Sequence, residues 1–179
     1  MKFAVQAILG LSLAFTAPAF AANTAPAAPL VASNHAHVQA VQDLLAAMQI
    51  EKILKGVAAR SRYPTEAQKQ AIFAKLDKIP PAEVYQRLAP KLTSAISVDT
   101  ATEMSRFYNT AYGKQVIYKK YNSGAQIMMP GMTVAVAPEE KKERKRAAYV
   151  KASKELADAE PAIEHEAFKL LQVINKEKR

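Results

Sequence analysis

From about residue 38 onward, apolar side chains recur every three or four positions, the signature of helices with one buried face. Val38, Val41, Leu45 and Met48 make a first stripe, and Ile50, Ile53, Leu54 and Val57 a second one out of phase with it. Two helices, or one helix broken between Met48 and Ile50, are therefore expected. The one stretch with extended character, Thr133 to Val136, is too short to form a sheet alone. Only five glycines punctuate 179 residues. The expected fold is all-α, a single compact domain of about six to eight helices around one core.

Boundaries between the helices are written in the prolines and capping residues. Tyr63-Pro64 ends a helix, because a residue before proline avoids the helical region. Thr65 and Gln68 stand at capping-box spacing ahead of Ile72, Phe73, Leu76 and Ile79. Pro81 suits the first turn of the next helix, whose stripe is Val84, Leu88, Leu92 and Ile96. Pro90 is expected to bend or split that element. Ser97 or Asp99 caps a helix carrying Met104, Phe107, Tyr108 and Ala111, and Gly113 is expected to stop or kink it before Val116, Ile117 and Tyr121. Pro138 opens a charged helix running towards Ala157. Asp158 is then expected to cap a last helix, with Pro161 near its start and Ile163, Ala167, Leu170 and Ile174 on its buried face.

The N-terminus carries an address rather than fold. Lys2, an apolar run from Phe3 to Phe15, and Ala19-Phe20-Ala21 have the layout of a secretory signal peptide cleaved after Ala21. The run is too short, and too soon interrupted by Pro18, for a membrane span. An exported, periplasmic protein with no transmembrane segment in its mature chain is expected. Residues 1–21 are then the signal peptide, 22–33 a flexible Ala/Pro leader, and 34–179 the helical domain with Asn34 as its first cap. Within that domain, 127–138 reads as an apolar connection and 139–179 as basic C-terminal helices.

Cysteine is absent, which excludes disulfides, thiolate chemistry, thiolate metal sites and acylation at a cysteine. Lys2 is the one charge lost with the signal, so the full chain's +9 becomes +8. For an exported protein, an anionic lipid surface or an acidic envelope protein is the natural counterpart, and nucleic acid is not expected.

Two stretches carry a family resemblance. Leu44 to Lys52 reads Leu-Leu-Ala-Ala-Met-Gln-Ile-Glu-Lys, and Phe107 to Lys114 reads Phe-Tyr-Asn-Thr-Ala-Tyr-Gly-Lys. Over about Ala40 to Gln126 the chain resembles the bacterial exported proteins grouped as domain-of-unknown-function family number 2059. The resemblance implies an all-helical exported domain and supplies no catalytic residues.

Candidate chemistry is sparse. His35 and His37 would need further ligands to hold a metal, and His165 lies between Glu164 and Glu166, which point to other helix faces. No nucleophile elbow is present, so no catalytic residue, metal or cofactor is expected. Tyr108 and Lys114 are candidates for binding, with packing as the plainer role. Met128, Met129 and Met132, beside Pro130-Gly131, suit an irregular core or a partner- or lipid-facing groove, and copper less well. Lys141, Lys142, Arg144, Lys145 and Arg146 surround the single acid Glu143 and form the strongest electrostatic footprint. The function expected is a non-enzymatic binding protein of the cell envelope; a periplasmic chaperone or an immunity-type toxin inhibitor is the alternative, and a hydrolase comes behind both.

Overall fold

A computed structural model describes residues 28–122 and 136–178, with side chains from residue 34. The signal-peptide stretch and Met128, Met129 and Met132 lie outside the described residues. Eight helices and no strand are found among the described residues. They are α1 (Ala28–Ala47), α2 (Ile50–Arg60), α3 (Glu66–Asp77), α4 (Pro81–Leu92), α5 (Val98–Asn109), α6 (Ala111–Asn122), α7 (Pro138–Glu143) and α8 (Ala147–Lys176). No helix among them is long and apolar enough to cross a membrane.

The core forms where the stripes meet. α1 lies against α4 and α5, and α8 lies across α2, α3, α4 and α5. Leu44, Leu45, Ile50, Leu92, Ile96 and Ile174 are fully enclosed there. Each such side chain contributes about 1.5–3 kcal/mol relative to exposure. The phase shift read from the sequence is a real break. Gln49 adopts the left-handed conformation at φ 52°, unusual for a residue with a Cβ, and turns the chain from α1 into α2. Its Oε1 is buried without a hydrogen-bond partner among the described residues.

Caps fall largely where the sequence puts them. Thr65 Oγ1 accepts from the Gln68 amide at 3.2 Å, and Ser97, rather than Asp99, caps α5 by accepting from the Thr100 amide at 3.3 Å. Pro81 opens α4. Pro90 does not split that helix, because it falls in the last turn and is exposed, so only one hydrogen bond is forfeited.

Four further expectations are corrected. α1 already runs from Ala28, so residues 28–33 are helical and Asn34 lies inside the helix rather than capping it. Pro29 is compatible with this because it sits in the first turn, where an amide has no helical partner to lose. Gly113 neither stops nor kinks a helix; it sits in the first turn of α6, and the break falls at Thr110. The charged run does not continue as one helix to Ala157. α7 ends at Glu143, and Arg146 is extended ahead of α8. Finally, Asp158 caps nothing, because α8 is one 30-residue helix running through Pro161. Ala152, Leu156, Ala159, Ile163, Ala167, Leu171 and Ile174 bury an uninterrupted stripe on both sides of that proline, which itself faces outward. An interior proline costs about 3 kcal/mol, less than the burial that a continuous stripe secures.

Candidate functional site

The junction of α5 and α6 builds the site. Thr110 ends α5 and begins α6 at once. Its Oγ1 donates to the Phe107 carbonyl at 2.7 Å and accepts from the Gly113 amide at 2.9 Å. This folds the start of α6 onto the end of α5 so closely that a Cβ on residue 113 would lie 2.1 Å from the Phe107 carbonyl oxygen. Glycine is therefore required by space, not by an unusual backbone angle.

The tight junction returns Tyr112 to the side of Phe107. Phe107 is 3% exposed and acts as a hub. Its ring centroid lies 5.2 Å from Tyr108, 6.2 Å from Tyr112 and 4.9 Å from Tyr149 in the first turns of α8. These separations and tilts are those of favourable aromatic pairs. Over this hub opens a pocket of about 220 Å³. Tyr108, Tyr112 and Tyr149 line it, Met48, Met104 and Leu156 supply apolar surface, and Glu140 and Glu160 contribute carboxylates.

α7 closes one side. The Tyr112 hydroxyl donates to Glu140 Oε2 at 2.8 Å, and Glu140 Oε1 accepts from Arg144. Behind it, Glu143 accepts from Arg106 at 2.6 Å and from Arg146 at 2.8 Å, while Glu103 accepts from the same two arginines. Four charges from α5, α7 and the α7–α8 turn thus form one closed network. The Arg106 hydrogen bond, with help from Arg146, holds the carboxyls of Glu103 and Glu143 below their ordinary range. Glu140 is lowered likewise, first by Tyr112 and then by Arg144.

The tyrosines shift the other way. Burial, then the neighbouring Tyr149 and Glu160, pushes Tyr108 up to about 12. Burial and the bond to Glu140 push Tyr112 up to about 12. Tyr149 is also raised, chiefly by burial. All three stay protonated at neutral pH and present uncharged rings.

A second cavity of about 380 Å³ adjoins the first, with Met48 and Glu160 in both linings. The charged groups in its walls are largely paired. Lys120 meets Glu160 at 2.7 Å, Arg60 meets Glu164 at 3.2 Å, and the Lys52 ammonium lies 5.2 Å from the Tyr121 ring centre.

Of the residues singled out from sequence, Tyr108 alone lies in the tyrosine pocket. Lys114 is exposed in a neighbouring shallow groove with Gln49 and Tyr118, and Tyr108 lines that groove as well. Arg144 and Arg146 are taken up by the ion pairs above, whereas Lys141, Lys142 and Lys145 are exposed with no ion pair among the described residues. His37 is tied to the Ile96 carbonyl at 2.7 Å, a packing role between α1 and the turn after α4. No group of three potential metal ligands occurs among the described residues. Tyr112, Tyr149 and Glu140 were not foreseen. The four-residue interval from Tyr108 to Tyr112 was a usable signal, but Tyr149 joins them only through tertiary packing. Comparison with family models, curated proteins and solved structures gives no match.

Proposed function

We propose that this chain is an exported protein of the cell envelope that binds a small molecule in the tyrosine-walled pocket and does not transform it. The observation that carries this reading is the character of the lining. It offers neutral aromatic and apolar surface around about 220 Å³, with Glu140 and Glu160 already hydrogen-bonded to neighbours. Such a lining suits retention of a ligand better than proton transfer, which needs a group poised near neutrality. Export is supported by the charged start, apolar core and small-residue site of residues 1–21, and the resemblance to family 2059 accords with it.

Native mass spectrometry of the protein recovered from the periplasm tests this reading. A small-molecule adduct is expected on the wild-type chain and is lost in Tyr149→Ala. Recovery of the protein only from the cytoplasm, in its uncleaved form, contradicts export. An adduct that survives Tyr149→Ala and Tyr108→Ala alike removes the pocket from the reading.

A further inference from the structure

We propose that the tyrosine pocket takes a small organic cation of the alkylated-ammonium class, held among Tyr108, Tyr112 and Tyr149, with the paired carboxylates of Glu140 and Glu160 at its edge. This inference rests on the binding reading above and names the ligand class.

The first argument is the sign of charge. In a chain of net charge +9, basic groups reach most concave surfaces. Lys52, Arg60 and Lys120 stand in the adjoining cavity, Arg62 and Lys75 in the one between α3 and α8, Arg87 and Lys91 beside α4, and Lys114 beside α6. Among the described residues the tyrosine pocket is lined by no lysine, arginine or histidine and by two glutamates, whose own partners, Arg144 and Lys120, stand outside its lining. In so basic a molecule, a concavity free of cations and edged with carboxylates is where a positive ligand meets the least repulsion.

The second argument is the chemistry of the walls. Aromatic faces carry negative quadrupole charge and attract cations within about 6 Å of the ring centre. The Tyr108 and Tyr149 hydroxyls make no hydrogen bond among the described residues.

The third argument separates an alkylated cation from a metal ion or simple ammonium. Met48, Met104, Phe107 and Leu156 provide apolar surface that cannot replace the water of a strongly hydrated ion. Methyl or methylene groups on nitrogen need no such replacement and gain from the same surface. The size agrees: about 220 Å³ is below the roughly 300–1,000 Å³ of pockets for drug-sized ligands and fits a head group.

Isothermal titration of the folded protein with choline, and with its neutral carbon isostere 3,3-dimethyl-1-butanol, tests the inference. Choline is expected to bind at least about tenfold more tightly than the isostere. Tyr149→Phe keeps most of the affinity because the ring remains, while Tyr149→Ala loses about tenfold or more. Glu160→Gln, outside the aromatic hub, weakens choline and leaves the isostere unchanged, which guards against a folding defect in the alanine variant. Equal binding of choline and isostere overturns the cation while leaving a small-molecule pocket intact. Binding of neither probe, with an adduct still found on the native protein, likewise overturns the cation class alone. Displacement of choline by phosphatidylcholine vesicles, but not by phosphatidylglycerol vesicles, identifies a lipid head group as the source; displacement by neither identifies a free solute.

Discussion

The basic run of α7 and the tyrosine pocket beside it meet at Glu140, yet one is a sequence feature that largely cancels in three dimensions and the other a three-dimensional feature nearly invisible in sequence. Five cations in six residues promise a docking surface. In the fold, Arg144 bonds Glu140, and Arg146 joins Arg106 in closing on Glu103 and Glu143. Only Lys141, Lys142 and Lys145 remain as surface charge. The pocket draws instead on residues as distant as Met48 and Glu160, none notable alone. The difference teaches that local charge density measures what a segment could offer, while the acids it meets in the fold, Glu103 of α5 with Glu140 and Glu143 of α7, decide what it does offer.

The sharpest way to break this contrast is Gly113→Ala. A Cβ 2.1 Å from the Phe107 carbonyl oxygen and 2.7 Å from Tyr108 Cα meets backbone at both points and cannot be relieved by a side-chain rotation. Destabilisation of about 3 kcal/mol is expected by urea unfolding, with loss of the pocket. A cost below about 0.5 kcal/mol means the α5–α6 junction is not built as described.

Next in size is the double change Glu103→Gln with Glu143→Gln, which removes the acids that hold α7. About 1–2 kcal/mol is expected, between the values of exposed ion pairs and of charge-assisted hydrogen bonds, because the arginines are more than a third exposed. The pH profile carries the same information. Both carboxyls titrate lower folded than unfolded, so their contribution is complete above about pH 4.3 and fades as pH falls through the folded values. Thermal melts of the wild type between about pH 5 and pH 2 should therefore fall more steeply than those of the double variant, and parallel curves would count against the network.

The tyrosines give the opposite sign. Tyr108 and Tyr112 are raised to about 12, so their contribution is present below the unfolded value near 10 and is lost as pH rises from about 10 to 12. Tyr108→Phe blunts that alkaline loss; unchanged alkaline melting in this variant would show that the hydroxyl is not desolvated. The smallest effect belongs to the surface part of α7. Lys141→Ala, Lys142→Ala and Lys145→Ala together should change stability by no more than about 0.5 kcal/mol and leave pocket binding intact. If the triple variant loses the ligand, the basic run and the pocket act as one site after all.

The helical class, the break at Met48 to Ile50 and the caps at Thr65 and Ser97 were legible because period and capping chemistry are local. The two prolines misread, Pro90 and Pro161, show the limit of local rules. Local rules make Pro90 bend or split its helix and put Pro161 near the start of a new one, yet each lies in a helix whose end is already near or whose apolar stripe is packed on both sides. Gly113 was read as a helix stop because glycine usually serves backbone angles, whereas here it serves the distance between two chain segments, which no window of sequence displays. The motif Phe107 to Lys114 pointed to the right place, but for half of a reason. Phe107 and Tyr108 matter through Tyr149, forty-one residues beyond Tyr108 and on another helix.

The uninterrupted course of α8 has a kinetic consequence. This helix follows in the chain every element it packs on, and its far end is fastened when Lys75 Nζ donates to the carbonyls of Asn175 and Glu177, both at 2.8 Å. α4 and α5 already share α1, but the one helix that packs on all of α2 to α5 is α8. The earlier part of the chain can form local helical turns within about a microsecond. Consolidation must await contacts spanning about a hundred residues, a loop closure that slows the rate-limiting step. Until then the faces of α2 to α5 that α8 covers stay open, and their exposure to proteases and to aggregation is set by how soon one helix arrives.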